Sequence, residues 1–407
     1  MQNISVTKLK VMTVVGTRPE IIRLSATIKL LDKYTDQVFV HTGQNYDYEL
    51  NEIFFDDLGL RKPDHFMNVS RDSLGAAIGD IFKKTEEIIN LENPDALLVL
   101  GDTNSCLSAY MAKRKHIPIF HMEAGNRSFD FNVPEEINRR IIDHIADFNL
   151  VYTEHARRHL ISEGLPHRRI YLTGSPMWEV LQQNMDKINN STILKTLSKQ
   201  IKEKSNLRES VQSASSVFTK LEPKKYFMVS VHREENVDNE ENLKQILTVL
   251  NNLTEQYKLP VIVSTHPRTR KRIEALYSSP VTRHPSLIHF MKPFGFTDYV
   301  NLQMNALCTI SDSGTISEES AMLNFPAISL RQSMERPEAQ DSGSIILSGF
   351  KSDIVLNAIQ TVIEEHTLQD THHSLPFEYK IQNTSWRVVK LILGNTKLSN
   401  KWWGINS

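Results

Sequence analysis

Three acidic residues stand at points of the chain where proton transfer chemistry is commonly placed. Asp102 follows the apolar run 97–100, Glu123 follows a second apolar run that starts at Ile117, and Glu135 opens a helical segment. Like charges crowded into one site push their pKa values apart, so one residue type can supply both an acid and a base. Each residue alone has a structural explanation, Asp102 as a helix cap for example. Together the three carboxylates predict acid–base catalysis.

The second half of the sequence carries residues suited to binding a diphosphate. His232 and His266 each follow an apolar run and each precedes an arginine, and Arg336 follows a later run. The small residues Ser313–Gly314–Thr315 precede a helical segment, where backbone N–H groups and hydroxyls can hold phosphate without net charge. Glu319 lies one turn into that helix, within reach of ribose hydroxyls. This half therefore predicts a nucleotide site.

A further anion site is indicated near the N-terminus, in the run Gly16–Thr17–Arg18–Pro19–Glu20. Glycine permits a tight turn, proline suits the first helical turn, and the N-terminus of a helix favours anions. Arg18 and Arg23 add positive charge. The run has neither the three spaced glycines of a dinucleotide site nor a Walker loop. A plain strand-to-helix turn with solvated arginines would also explain this run.

Short apolar runs alternate with amphipathic helical stretches along most of the chain, which is typical of parallel sheets buried on both faces. We therefore predict an α/β fold of two Rossmann-like, doubly wound parallel-sheet domains, with the active site in the cleft between them. The predicted parts are an N-terminal domain (1–185) with the carboxylates, a helical connection (186–224), a C-terminal domain (225–380) that carries the nucleotide site, and a C-terminal helix (381–407) that packs back on the body.

Composition excludes several classes of protein. The chain has 407 residues, of which 40% are hydrophobic and 23% charged, as in ordinary globular proteins. Its formal net charge of −1 gives no general attraction to nucleic acid or to an anionic membrane. The only cysteines, Cys106 and Cys308, lie in apolar segments and predict buried thiols rather than a metal site. With neither a signal-peptide pattern nor a membrane span, a cytoplasmic location is expected.

The motifs together resemble the non-hydrolysing UDP-N-acetylglucosamine 2-epimerase family, from Gly16–Glu20 to Glu335–Glu338 and in consistent order. The resemblance covers nearly the whole chain except the 186–225 connection and the last turns. It implies the two-domain architecture shared with GT-B glycosyltransferases, a UDP-sugar substrate, no metal and no other cofactor. It also implies an isomerase, and the family tendency is a homodimer. No nucleic-acid or membrane partner is expected, because the net charge is close to zero.

The resemblance carries the family's functional residues onto this chain. It implies catalytic roles for Asp102, Glu123, Glu135 and His232. It implies substrate-binding roles for Arg18, Arg23, Gln44, Arg127, His266, Tyr299, Ser313, Gly314, Thr315, Glu319 and Arg336, with Tyr299 against the uracil. The family usually has lysine at Arg23, which keeps the charge, and often has glycine at Thr315, so here the turn must form without that freedom. Gln44 and Arg127 also raise the question of an allosteric nucleotide-sugar site.

The exact residues of four motifs resemble one subgroup, the UDP-N-acetyl-L-fucosamine synthases. These enzymes act on UDP-2-acetamido-2,6-dideoxy-L-talose in capsule or O-antigen precursor synthesis. The matching runs begin at His41, Glu123, His232 and Ser313. The resemblance implies elimination of UDP to a 2-acetamidoglycal and re-addition with the opposite C2 configuration. The nearest competing activity is epimerisation between UDP-N-acetylglucosamine and UDP-N-acetylmannosamine. The motifs are also compatible with a hydrolysing epimerase, a retaining GT-B glycosyltransferase or a nucleotide-sugar binding protein without activity.

Overall fold

The computed structural model describes residues 8–43, 55–209, 220–265, 267–276, 287–368 and 375–403. The chain divides into two compact units. Unit 1 comprises Met1–Gln183 and Phe377–Ser407, and unit 2 comprises Asn184–Pro376. Among the described residues, no helix is both long enough and apolar enough to cross a lipid bilayer.

Unit 1 is built on one parallel sheet with strand order β3-β2-β1-β4-β5-β6-β7. Its strands are β1 (Lys10–Val15), β2 (Asp36–His41), β3 (His65–Phe66), β4 (Ala96–Leu100), β5 (Ile119–Met122), β6 (Phe148–Val151) and β7 (Ile170–Leu172). The described α-helices of this unit that precede unit 2 in the chain are α1 (Arg18–Tyr34), α2 (Leu74–Glu92), α3 (Ser108–Arg114), α4 (Pro134–Ile145), α5 (Glu154–Ser162) and α6 (Met177–Asn189), within which unit 2 begins. Apolar side chains of the central strands are fully buried, because helices cover both faces of the sheet.

Unit 2 repeats the architecture, with a parallel sheet of order β10-β9-β8-β11-β12-β13. Its strands are β8 (Phe227–Ser230), β9 (Val261–Ser264), β10 (Ile288–Met291), β11 (Cys308–Ser311), β12 (Ala327–Ser329) and β13 (Ile346–Leu347). The helices are α7 (Ile193–Glu209), α8 (Glu234–Val237), α9 (Glu240–Tyr257), α10 (Pro267–Leu276), α11 (Phe296–Asn305), α12 (Ile316–Leu323), α13 (Pro337–Asp341) and α14 (Ser352–Thr367). The prediction of two doubly wound parallel sheets is thus confirmed.

The strand order of each sheet reverses direction at one place. In unit 1 the chain leaves β1 toward β2 on one side and later returns to β4 on the other, and in unit 2 the same happens between β8 and β11. Adjacent parallel strands whose connections diverge leave a crevice at their carboxyl ends, where ligands of such sheets bind. Each unit therefore has one favoured position for a site.

Two helices outside the sheets, α7 and the C-terminal helix, each pack within one unit. α7 contributes Ile193, Leu197 and Ile201 to the core of unit 2. The C-terminal helix α15 (Thr384–Trp403) returns to unit 1, where the rings of Trp386 and Tyr34 lie 5.3 Å apart between centroids. Residues 210–219 of the predicted connection lie outside the described residues.

Candidate active site

The turn between β1 and α1 is held by one buried carboxylate, that of Glu20. Its Oε2 accepts hydrogen bonds from the backbone N–H groups of Gly16 (2.9 Å) and Thr17 (2.7 Å) and from the Thr17 hydroxyl. Its Oε1 accepts from the hydroxyls of Thr103 (3.1 Å) and Ser105 in the turn after β4. Burial raises the pKa of Glu20, although these hydrogen bonds oppose the shift. Glu20 therefore connects the β1–α1 turn, where the half-buried Arg18 begins α1, to the turn after β4.

Asp102 and Glu123 are brought together by a guanidinium group that the sequence analysis did not single out, that of Arg139. Its Nη2 pairs with Asp102 Oδ2, while its Nη1 donates to the Glu123 carbonyl at 2.9 Å and lies 3.5 Å from Glu123 Oε1. Arg23 pairs with the other oxygen of Glu123, Oε2. The Glu123 and Arg139 side chains are almost fully buried, and that of Asp102 is 17% exposed. Two carboxylates therefore share one cation at the carboxyl ends of β4 and β5.

Glu135 lies in the first turn of α4, and its side chain is exposed. Arg139 follows it by one helical turn, so both residues lie on one face of α4. Asn138, on the same turn as Arg139, donates to the Asp102 carbonyl at 2.9 Å. The helix thus carries Glu135 beside the segment that holds the other two carboxylates.

The backbone at Glu123 is left-handed, with φ of 63°. This conformation is unusual for a residue with a long side chain, and such strain is concentrated at functional sites. Gly125 also has a positive φ, of 79°, and a Cβ there would lie 2.4 Å from the carbonyl oxygen of Ala156. The loop after β5 is therefore tightly fitted against α5.

The buried guanidinium of Arg127 is linked to this loop through Asp143. Its guanidinium donates to Asp143 at 2.7 Å, to both carboxylate oxygens of Glu163 at 2.7 and 2.8 Å, and to the Asn126 carbonyl. The Asp143 carboxylate in turn accepts from the Gly125 N–H. This arrangement gives Arg127 a positioning role under Glu123, and its predicted substrate contact stays a prediction.

In unit 2, His232 and Asp312 meet where the strand order reverses. His232 follows β8, Asp312 follows β11, and His232 Nδ1 lies 3.1 Å from Asp312 Oδ1. The predicted phosphate cradle Ser313–Gly314–Thr315 comes next and leads into α12. Thr315 has φ of −80°, so the turn needs no glycine at this position, contrary to the restriction expected from the sequence.

Two of the residues predicted to bind the nucleoside, Glu319 and Tyr299, lie near the carboxyl ends of β8 and β11. The Glu319 carboxylate accepts a hydrogen bond from Gln303 Nε2 at 2.8 Å, and both side chains are buried. The Tyr299 hydroxyl shares hydrogen bonds with Ser230 and Ser311, which end β8 and β11, and burial followed by the Glu319 charge raises the pKa of Tyr299.

Of the three remaining residues predicted to bind the substrate, the structure describes only Arg336. Arg336 is buried and lies 3.6 Å from Glu318, between Nη2 and Oε2. Gln44 and His266 lie outside the described residues.

Sequence reasoning missed Glu20, Arg139, Asp312 and Gln303 as site residues. Glu20, Arg139 and Asp312 stand inside runs that the motifs already contain, at Gly16–Glu20, Pro134–Arg140 and Ser311–Thr315. Their pairing partners come from distant parts of the chain, and so their roles depend on the fold. Gln303 lies in no motif and has no sequence signal of this kind.

Comparison with known proteins identifies the family. The family model described as UDP-N-acetylglucosamine 2-epimerase matches residues 29–393. This chain belongs to that family. It is similar to the UDP-N-acetylglucosamine 2-epimerase of Methanococcus maripaludis, with 35% identity covering 95% of this chain and 99% of the relative.

Solved structures of the family share the fold. That of the UDP-N-acetylglucosamine 2-epimerase from Rickettsia bellii is 47% identical, covers 97% of this chain and 100% of its own, and has a TM-score of 0.86. The Methanocaldococcus jannaschii enzyme in complex with UDP-GlcNAc and UDP is 30% identical, covers 95% and 100%, and has a TM-score of 0.83. The family and the GT-B-like fold predicted from the sequence are thereby confirmed.

Proposed function

We propose that this chain epimerises C2 of a UDP-N-acetylamino sugar. The observation that carries the proposal is the pair of carboxylates, Asp102 and Glu123, bound by the single guanidinium of Arg139 at the strand ends of unit 1. Two acidic groups held at one place can remove a proton and return one, which is what inversion of a carbon centre requires. A family relative whose solved complex contains UDP-GlcNAc and UDP supports a UDP-sugar as the ligand.

The C2 proton of such a sugar has no adjacent carbonyl, so direct deprotonation is too slow. In the proposed reaction a carboxylate takes the C2 proton, the C1–O bond to UDP breaks, and a C1=C2 double bond forms. A carboxylic acid then returns a proton to the opposite face of C2, and the diphosphate oxygen of UDP rebonds to C1. Asp102, Glu123 and Glu135 are the proposed proton carriers. The reaction balances whichever of the three takes the C2 proton and whichever other one returns a proton.

Unit 2 supplies the proposed binding groups for UDP. Positive and N–H donor groups must meet the charge that develops on the departing diphosphate. We assign this role to Arg18 of unit 1 and to His232, Arg336 and the Ser313–Thr315 amides of unit 2. Glu319, with Tyr299 and His266, is the proposed nucleoside contact. The proposal requires one substrate to contact both units during turnover, so that the glycal is kept from water.

The sugar is proposed from the subgroup resemblance as UDP-2-acetamido-2,6-dideoxy-L-talose, giving UDP-N-acetyl-L-fucosamine for capsule or O-antigen synthesis. The names of the relatives favour a second candidate, UDP-N-acetylglucosamine and its C2 epimer. Both candidates use the same chemistry on the same groups, and they differ only in the sugar that must fit beside the carboxylates of unit 1.

Solvent deuterium tests the reaction and the sugar together. Each nucleotide sugar is incubated with the protein in D₂O and followed by nuclear magnetic resonance, and the proposal expects a C2 epimer that carries deuterium at C2. Release of free sugar with stoichiometric UDP would identify a hydrolysing enzyme instead. Transfer of the sugar only when an acceptor is present would identify a glycosyltransferase, and the absence of turnover with every UDP-sugar would leave a binding protein.

The family tendency leads us to propose a homodimer as the working assembly. Sedimentation velocity at micromolar concentration tests this proposal. A single species at the mass of one chain, 46.7 kDa, would contradict it.

A further inference from the structure

Asp312 is a buried carboxylate that receives four donors. It accepts from the backbone N–H groups of His232 (3.0 Å) and Arg233 (2.9 Å) and from Asn236 Nδ2 (2.9 Å), and His232 Nδ1 lies 3.1 Å from its Oδ1. The Asp312 side chain has no solvent exposure. Burial alone would raise the pKa of Asp312, but His232, Arg233 and Asn236 lower it to about 2. Asp312 is therefore an ionised acceptor at neutral pH.

An ionised acceptor beside Nδ1 determines which nitrogen of His232 carries a proton. A neutral imidazole has one N–H group, and a carboxylate can only accept. The hydrogen atom of neutral His232 must therefore lie on Nδ1, and Nε2 must hold a lone pair. The ring is half exposed, with 48% of the side chain accessible, so Nε2 is the nitrogen that is left for a ligand.

This arrangement conflicts with anion binding unless a proton is added. The lone pair of Nε2 repels the oxygens of a diphosphate, whereas the imidazolium donates to them through Nε2–H. We propose that Asp312 is a positioning residue that holds His232 in the Nδ1–H form, so that His232 takes up a proton when UDP binds. This inference rests on the proposed function, in which His232 contacts the diphosphate.

The uptake has a consequence for catalysis. The protonated ring of His232 then lies between the Asp312 carboxylate on one side and the diphosphate on the other. Charge that develops on the departing UDP is met by a donor whose orientation is already fixed, so little reorganisation is needed at that step. Asp312 itself touches no substrate atom in this scheme and acts only through His232.

The charged groups around the pair have other partners among the described side chains. Arg233 lies 3.3 Å from Glu335, and Arg331 donates to Glu335 at 2.7 Å. Tyr299 and Glu319 interact electrostatically with each other, and Tyr299 also with Asp312. His232 is thus the imidazole that faces Asp312, while His266 lies outside the described residues. An experiment must therefore separate these two histidines.

The test is calorimetry of UDP binding at about pH 8, in two buffers of different ionisation enthalpy, which gives the protons taken up per UDP. The wild-type protein is expected to take up a large fraction of one proton. Asp312→Asn is expected to reduce the uptake at least threefold, because the amide can donate to Nδ1 and leave Nε2–H as a neutral donor. His232→Asn should remove the uptake as well, and what persists belongs to His266 or to UDP.

Asn236→Ala is the matched control, because it removes a donor from Asp312 but leaves the contact with the ring. It should keep the wild-type proton uptake. Equal uptake in the wild-type, Asp312→Asn and His232→Asn proteins would overturn the inference.

Nitrogen-15 resonance of the ligand-free protein above pH 8 provides a measurement that does not depend on UDP. Neutral His232 in the wild type should show a protonated Nδ1 and an unprotonated Nε2, and Asp312→Asn should reverse the two. A protonated Nε2 in the wild type would overturn the inference even if the variant failed to fold. Failure of UDP to bind would instead refute the proposed function while the tautomer remained as measured.

Discussion

Removing the Glu20 carboxylate should loosen the β1–α1 turn by a predictable amount. The side chain accepts from two backbone N–H groups, those of Gly16 and Thr17, and from three hydroxyls. The hydroxyls of Thr103 and Ser105 already lie 2.7 Å apart and can bond to each other, so their loss costs little. The backbone N–H groups of Gly16 and Thr17 cannot bond to each other in this way and lose their acceptor.

The expected magnitude follows from those amides. A buried donor left without an acceptor costs about 1–3 kcal/mol. Partial entry of water should keep the total for Glu20→Ala near 3 kcal/mol of unfolding free energy. Glu20→Gln is the matched control, since its carbonyl can serve both amides while its NH₂ group donates to the Thr103 and Ser105 hydroxyls. Its loss should stay below about 1 kcal/mol.

Urea unfolding at neutral pH and at about pH 5 measures both variants. Because the folded-state pKa of Glu20 is raised from 4.5, the folded chain binds a proton more tightly than the unfolded chain does. The stability contributed by this proton is present below 4.5 and is lost as pH rises through the folded pKa. The wild type should therefore gain stability relative to Glu20→Gln as pH falls. A loss below 1 kcal/mol in Glu20→Ala, or a pH-independent difference, would refute the reasoning.

Three further outcomes follow from the geometry. Glu123→Gln should lower turnover at least about 10³-fold but keep UDP affinity within about threefold by calorimetry, and equal losses would contradict a role in proton transfer. Gln303→Leu should weaken the binding of UDP about fivefold but that of 2′-deoxy-UDP hardly at all, because Glu319, the proposed ribose contact, loses the donor that orients its carboxylate. Equal weakening of both nucleotides would contradict this role. Gly125→Ala should lower the free energy of unfolding in urea by more than about 3 kcal/mol, because the new Cβ would meet the Ala156 carbonyl. Gly164→Ala, also at positive φ but in open space, should lower it by about 1 kcal/mol. Equal losses would show that backbone strain alone matters.

The sequence predicts the central strands well because they are long apolar runs. Val11–Val15 and Ala96–Leu100 are buried on both faces, so their composition alone marks them. The edge strands β3 and β13 have two residues each and escape prediction. Two residues cannot form a periodic pattern, and such strands exist only because a neighbouring strand offers free backbone groups.

The same limit applies to the site. A polar residue after an apolar run is visible in sequence, and so Asp102, Glu123 and His232 could be placed at strand ends. Their ion-pair partners could not be predicted, because the partners are distant in sequence. Arg23 and Glu123 are 100 residues apart, and His232 and Asp312 are 80 residues apart. These pairs exist because each sheet brings together strands that are distant in sequence: β8 pairs with β11, and only β4 separates β1 from β5. Strand order is not encoded by any local pattern.

The buried side chains of His121 and Asp143 connect the loop that carries Asp102 with the loop that carries Glu123. His121 Nε2 donates to the carbonyl of Gly101 at 2.7 Å, next to Asp102, and its Nδ1 lies 3.0 Å from Asp143. Asp143 accepts from the N–H of Gly125, two residues after Glu123. Although burial would raise the pKa of Asp143, His121 and Arg127 lower it, so a carboxylate with no solvent exposure stays ionised. One buried charge network therefore fixes the loops of both carboxylates, which lets Arg139 bind the two at once.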